Sequence, residues 1–104
     1  MLIVFTTAPT TEEAESLARG IVESRLAACV QVLPEMRSFY FWEGKLEEEP
    51  EHLVLIKTSR SSYEALEKFI HEKHSYTEPE IVAVEAAKVS RGYLEWLEGY
   101  VDSR

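Results

Sequence analysis

The feature that most constrains this chain is a unit that it uses twice. A Thr/Ser-x-x-Glu box opens a stripe of apolar residues at helical spacing, and short apolar runs of β-type residues lie before and after it. In the first copy, residues 2–7 form a continuous apolar strand. Thr10 and Glu13 have capping-box spacing, and Ala14, Leu17, Ala18, Ile21, Val22 and Leu26 follow along one stripe. The pattern predicts a helix ending near Leu26, because residues 28–33 switch to β-type residues before Pro34 interrupts them. In the second copy, residues 53–58 read as the clearest buried strand. Ser61 and Glu64 repeat the box, and Tyr63, Leu66, Phe69 and Ile70 share a face. That helix is expected to end before the irregular segment 74–79, with a further strand at 81–84.

Between the two units lies an aromatic, β-prone segment, residues 38–42. Glu43-Gly44 is expected as a tight turn, the polar returning arm is residues 45–49, and Pro50 closes it. After the last strand, Ser90 can cap a helix that turns Tyr93, Leu94, Leu97, Tyr100 and Val101 inward. Two βαβ halves with right-handed crossovers predict an α+β, ferredoxin-like sandwich (β-α-β-β-β-α-β-α): one antiparallel sheet with helices on one face, plus an extra β-hairpin and a C-terminal helix.

At 104 residues, without linkers or low-complexity stretches, the chain reads as one domain, 1–104, able to bury a core without disulfides or a structural metal. No apolar run approaches a membrane span, and the amino-terminal residues lack the basic region of a signal peptide. Cys29 is the only cysteine, which fits a reducing compartment, so a cytoplasmic location is expected. The net charge of −8, without a basic cluster, argues against nucleic acid and against anionic membrane surfaces.

Several segments then line up with one family. Glu23-Ser24-Arg25-Leu26-Ala27-Ala28-Cys29-Val30, the aromatic strand and turn from Ser38 to Lys45, Leu55-Ile56-Lys57-Thr58, the loop from His74 to Ile81, and Tyr93-Leu94-Glu95-Trp96-Leu97 together resemble the divalent-cation tolerance (CutA) family. The resemblance covers nearly the whole chain in order. It implies a homotrimer similar in architecture to PII signalling proteins, and a role in tolerance of divalent cations, copper especially. It departs from the family at Ser75, where a proline is common, and at Thr6 and Lys73, where some members carry a cysteine and a second histidine placed at a metal site.

Two groups of residues carry candidate chemistry. His74, with His71 three residues before it, could form a Cu(II) or Ni(II) site on one side of a helix end; the plain alternative is a histidine interacting with the helix dipole. Tyr40, Trp42, Lys57, Tyr76 and Glu80 form the second group, which the family match places near the cleft between subunits. They could bind a small anionic or planar molecule with Lys57 as its anchor, or Lys57 and Glu80 could pair while the aromatics pack the trimer. A small-molecule or protein partner is the corresponding expectation. Cys29 reads as a small buried hydrophobe, and the acidic run Glu47, Glu48, Glu49 and Glu51 as a solvated edge. No nucleophile-base signature, H-E-x-x-H motif or glycine-rich phosphate loop is present, so no catalytic residue and no obligatory cofactor is expected; a divalent metal such as copper is the one candidate.

Overall fold

The structure, a computed structural model, describes residues 1–103; Arg104, the last residue of the expected domain, lies outside them. Five strands and three α-helices follow in the order β1 (Leu2–Ala8), α1 (Thr11–Glu23), β2 (Cys29–Val32), β3 (Met36–Trp42), β4 (Lys45–Thr58), α2 (Tyr63–Lys73), β5 (Val82–Glu85) and α3 (Arg91–Val101). The sheet runs β2-β4-β1-β5, with every pair antiparallel, and β3 continues along β4 beyond β2. This is the ferredoxin-like α+β arrangement with a hairpin and a terminal helix added.

Alternation along the strands divides the sheet into two unlike faces. Leu2, Val4 and Ala8 of β1 and Val54 and Ile56 of β4 bury against Ala14, Leu17 and Ile21 of α1 and Leu66 and Ile70 of α2, which is the core. Register places Ile3 beside Lys57 and Val84, and Phe5 beside Leu55 and Val82, on the opposite face. The helices α1 and α2 lie on the core side, and α3 reaches this face where Tyr93 lies beside Cys29. The third helix packs Leu97 and Val101 on Ala28, Met1, Tyr93 and Tyr100 at one end of the sheet.

Four expectations about local structure need correction. The returning hairpin arm and the strand at 53–58 are one unbroken 14-residue strand, β4, and Pro50 does not close it. Pro50 sits opposite Arg37 of β3, where β4 has a neighbour on one side only, so a missing N–H is tolerated there. The first helix stops at Glu23 instead of continuing to Leu26: Arg25 adopts φ 57, with its N–H on Val22 O and that of Leu26 on Ile21 O, a left-handed C-cap. The Ser61/Glu64 box does not form, because a short 3-10 turn over Arg60–Ser62 precedes α2 and the Ser59 hydroxyl pairs with those of Ser61 and Ser62. The first box forms by half. Thr10 Oγ1 accepts the Glu13 N–H at 3.1 Å, while the Glu13 carboxylate turns away to the loop after α2. The hairpin turn is as expected, with Glu43 at φ 48 and Gly44 at φ 85, the two positive φ values of a tight hairpin turn.

Candidate ligand cleft

The loop between α2 and β5 is fastened to the body of the protein by His74. Its backbone N–H ends α2 on Ile70 O at 2.8 Å, and its imidazole turns inward with no exposed side-chain surface. Nδ1 accepts the N–H of Tyr76 at 3.0 Å and Nε2 donates to Thr7 O at 2.6 Å, so these bonds require the tautomer protonated on Nε2. Glu13, at the start of α1, accepts the N–H of Ser75 at 3.0 Å and lies 3.4 Å from Nδ1. One imidazole thus joins the end of β1, the start of α1 and the loop.

Tyr76 then turns its hydroxyl back over the sheet and donates to Glu51 Oε2 at 3.0 Å, where the Thr7 hydroxyl also donates at 3.2 Å. Glu51 is 5% exposed. On the hairpin, Tyr40 stands opposite Glu47 and Trp42 opposite Lys45, which by alternation puts both aromatics on the face of β4 that carries Glu51. Hairpin, sheet end and loop enclose a cleft of about 870 Å³ lined by Thr7, Phe39, Tyr40, Trp42, Glu51, Tyr76 and Glu80, among others. This is within the usual size of small-molecule sites.

The cleft is negative. Its groups titrate accordingly: desolvation, and then the Glu51 charge, raises the Glu80 carboxyl above the ordinary range. Desolvation, followed by the bond to Glu51, raises the Tyr76 phenol well above its usual value. Tyr40 is raised first by desolvation and then by the charges of Glu49, Glu51 and Glu47.

Of the residues expected to act together, the structure gathers Tyr40, Trp42, Tyr76 and Glu80. Lys57 lies elsewhere, donating to Gln31 Oε1 at 2.6 Å on the face opposite α1 and α2, where it pairs in register with Cys29. It does not line the cleft of its own chain. The two helix-end histidines are also parted, since His71 is exposed and His74 is buried with both ring nitrogens engaged. Among the described residues no three His, Cys, Asp or Glu side chains converge as a metal site. Glu51 corrects the reading of the acidic run as wholly solvated. The alternation that orders Leu53 and Leu55 extends back to Glu51, just after Pro50, and carries it onto the same face, a signal hidden by starting the buried strand at Leu53. His52, not singled out from the sequence, is buried on the other face. It bridges Leu33 O, 3.0 Å from Nδ1, and the Thr11 hydroxyl, 3.1 Å from Nε2.

Residues 2–99 match the sequence pattern described as "CutA1 divalent ion tolerance protein". The chain is 42% identical over 95 residues to the "Divalent-cation tolerance protein CutA" of Thermus thermophilus, covering 91% of this chain and 92% of that one. It is 41% identical over 96 residues to the "Protein CutA, chloroplastic" of Arabidopsis thaliana, covering 92% of this chain but only 53% of that longer relative. The crystal structure of CutA from Xylella fastidiosa superposes with a TM-score of 0.95 at 37% identity, covering 97% of both chains. No helix among the described residues is long and apolar enough to cross a membrane.

Proposed function

Because the chain belongs to the family of CutA1 divalent ion tolerance proteins, we propose that it serves divalent-cation tolerance, copper included, as a cytoplasmic homotrimer. In this reading it meets its ligand in the cleft between hairpin, sheet and loop. The observation that carries the proposal is the outer face of the sheet. Ile3, Phe5, Leu53, Leu55, Val82 and Val84 form one apolar surface, with Val82 and Val84 about half exposed, opposite the face on which α1 and α2 pack. A surface of this kind is covered by another chain when a protein works as an assembly. The cleft opens onto the same face through Glu51, so neighbouring copies would border it and bring Lys57 of one chain toward the Glu80 of another.

Direct chelation by His71 and His74 is the weaker route to the same role. His74 would have to surrender the bonds to Thr7 and Tyr76 before it could bind an ion. The geometry favours a binding and regulatory part with no catalytic group, and the acidic surface favours small-molecule or protein partners over nucleic acid. The lone cysteine suits a cytoplasmic setting.

Calorimetric titration with Cu(II), with the mass in solution determined alongside, tests this. We expect a particle of three 12.0 kDa chains and weak Cu(II) binding that survives His74→Ala. A monomeric particle would remove the assembly, and one tightly bound ion per chain lost in His74→Ala would move the function to the helix end.

A further inference from the structure

We infer that the cleft takes an organic cation, an alkylammonium or guanidinium group, seated between the Glu51 carboxylate and the aromatic wall of Tyr40 and Trp42. The inference rests on the reading of the cleft as the ligand site and names the chemistry of what enters it.

Glu51 is 5% exposed, yet no Lys, Arg or His lies within ion-pair distance of it among the described residues. Its two hydrogen bonds, from Thr7 and Tyr76, both go to Oε2, and no described residue bonds Oε1. A carboxylate withdrawn from water with two neutral donors and no counter-charge is under-compensated, and a cation restores the balance. Nearby basic side chains are committed elsewhere: Arg37 to Glu48, Lys45 to Glu47 and Lys57 to Gln31.

The wall selects the kind of cation. Tyr40 and Trp42 line the cleft, and aromatic faces attract ammonium and guanidinium groups while offering no oxygen ligand to a hard metal ion. Glu51 and Glu80 alone would leave such an ion mostly hydrated, and no third His, Cys, Asp or Glu joins them among the described residues. An anion is disfavoured by the same two carboxylates. With a second carboxylate on the rim, a cation bearing two amines separated by a short chain could engage both.

The cation can come from a free molecule or from a basic side chain of a second copy, and two measurements tell these apart. Spermidine is titrated into the full chain carrying Trp96→Phe, so that Trp42 is the remaining tryptophan, and its fluorescence is followed. Glu51→Gln keeps an acceptor for Thr7 and Tyr76 but removes the charge. In the free-ligand case, spermidine changes the Trp42 signal, uncharged 1,8-octanediol and Mg²⁺ do not, and Glu51→Gln weakens binding by about tenfold or more. In the second-copy case, spermidine is silent and Glu51→Gln shifts the sedimenting species toward the single chain. Spermidine binding with equal affinity to Glu51→Gln overturns the inference. So does silence to spermidine with assembly unchanged in that variant, and so does a signal driven by Mg²⁺ alone. A response to uncharged or anionic molecules that Tyr40→Ala abolishes would overturn the cation while leaving the cleft as the ligand site. Silence to molecules of every charge would remove the site itself.

Discussion

His74 holds the backbone of Tyr76 in place: its Nδ1 accepts the Tyr76 N–H at 3.0 Å, and the two rings lie 4.8 Å apart. The loop that walls the cleft is therefore positioned by a residue inside the protein. His74→Ala would strand the Tyr76 N–H and the Thr7 carbonyl, each at a cost of about 1–3 kcal/mol. Denaturant unfolding at fixed protein concentration is expected to show a loss of about 2–5 kcal/mol, against less than about 0.5 kcal/mol for the exposed His71→Ala. Equal effects in the two variants would show that the imidazole does not anchor the loop.

Thr6 and Thr58 are both fully buried and expected to respond oppositely to one change. Thr6 Oγ1 has no hydrogen-bond partner among the described residues, whereas Thr58 Oγ1 donates to Leu26 O at 2.6 Å, tying the end of β4 to the turn after α1. Thr6→Val removes an unpaired hydroxyl from the core and should raise stability by up to about 1 kcal/mol; Thr58→Val strands a buried carbonyl and should lower it by about 1–3 kcal/mol. Thermal unfolding of the two variants beside the parent checks the signs, and a destabilised Thr6→Val would reveal a partner for that hydroxyl.

The Glu80 carboxyl, raised on folding, carries a pH signature. A group whose folded value lies above its unfolded one stabilises the fold at low pH, and that contribution is lost as pH rises through the folded value. At neutral pH the ionised Glu80 therefore works against the fold. Glu80→Gln is expected to raise the melting temperature at pH 7, the gain shrinking as the pH falls through the raised value and vanishing below the ordinary carboxyl range. A gain independent of pH would trace the effect to something other than ionisation.

Phe41 and Leu46 face each other across the hairpin, 73% and 71% exposed. Such a cross-strand apolar pair is an edge that a second copy would cover. Phe41→Glu should weaken the proposed assembly, seen in sedimentation as a shift toward the single chain with a melting temperature that depends more steeply on concentration. A variant that stays fully assembled would place this pair outside the interface.

Much of the fold was legible because it rests on local rules. The stripe Ala14, Leu17, Ile21 and the run of β1 each bury as their periodicity requires. The hairpin's place was legible too, since Glu43-Gly44 is a turn whatever surrounds it. What escaped were features fixed by partners distant in sequence. The tolerance of Pro50 depends on β1 having ended at Ala8, which the residues around Pro50 do not record. The inward turn of His74 depends on a carbonyl 67 positions earlier. The four gathered residues of the cleft were named from the sequence through a family resemblance, whereas Glu51 needed the strand register and Lys57 was separated by it.

The unbroken run of β4 from Lys45 to Thr58 also restricts how the chain can vary in length. A single residue inserted or deleted between Glu51 and Leu53 would turn Glu51 and every hairpin side chain to the opposite face relative to the core half of the same strand, sending Tyr40, Trp42 and Glu51 away from Thr7 and Leu53. Length changes in this strand are tolerable only in pairs, or where a bulge absorbs the odd residue. Turns and termini can drift freely, but the span joining hairpin to core is held to a fixed count, as a ruler between the two walls of the cleft.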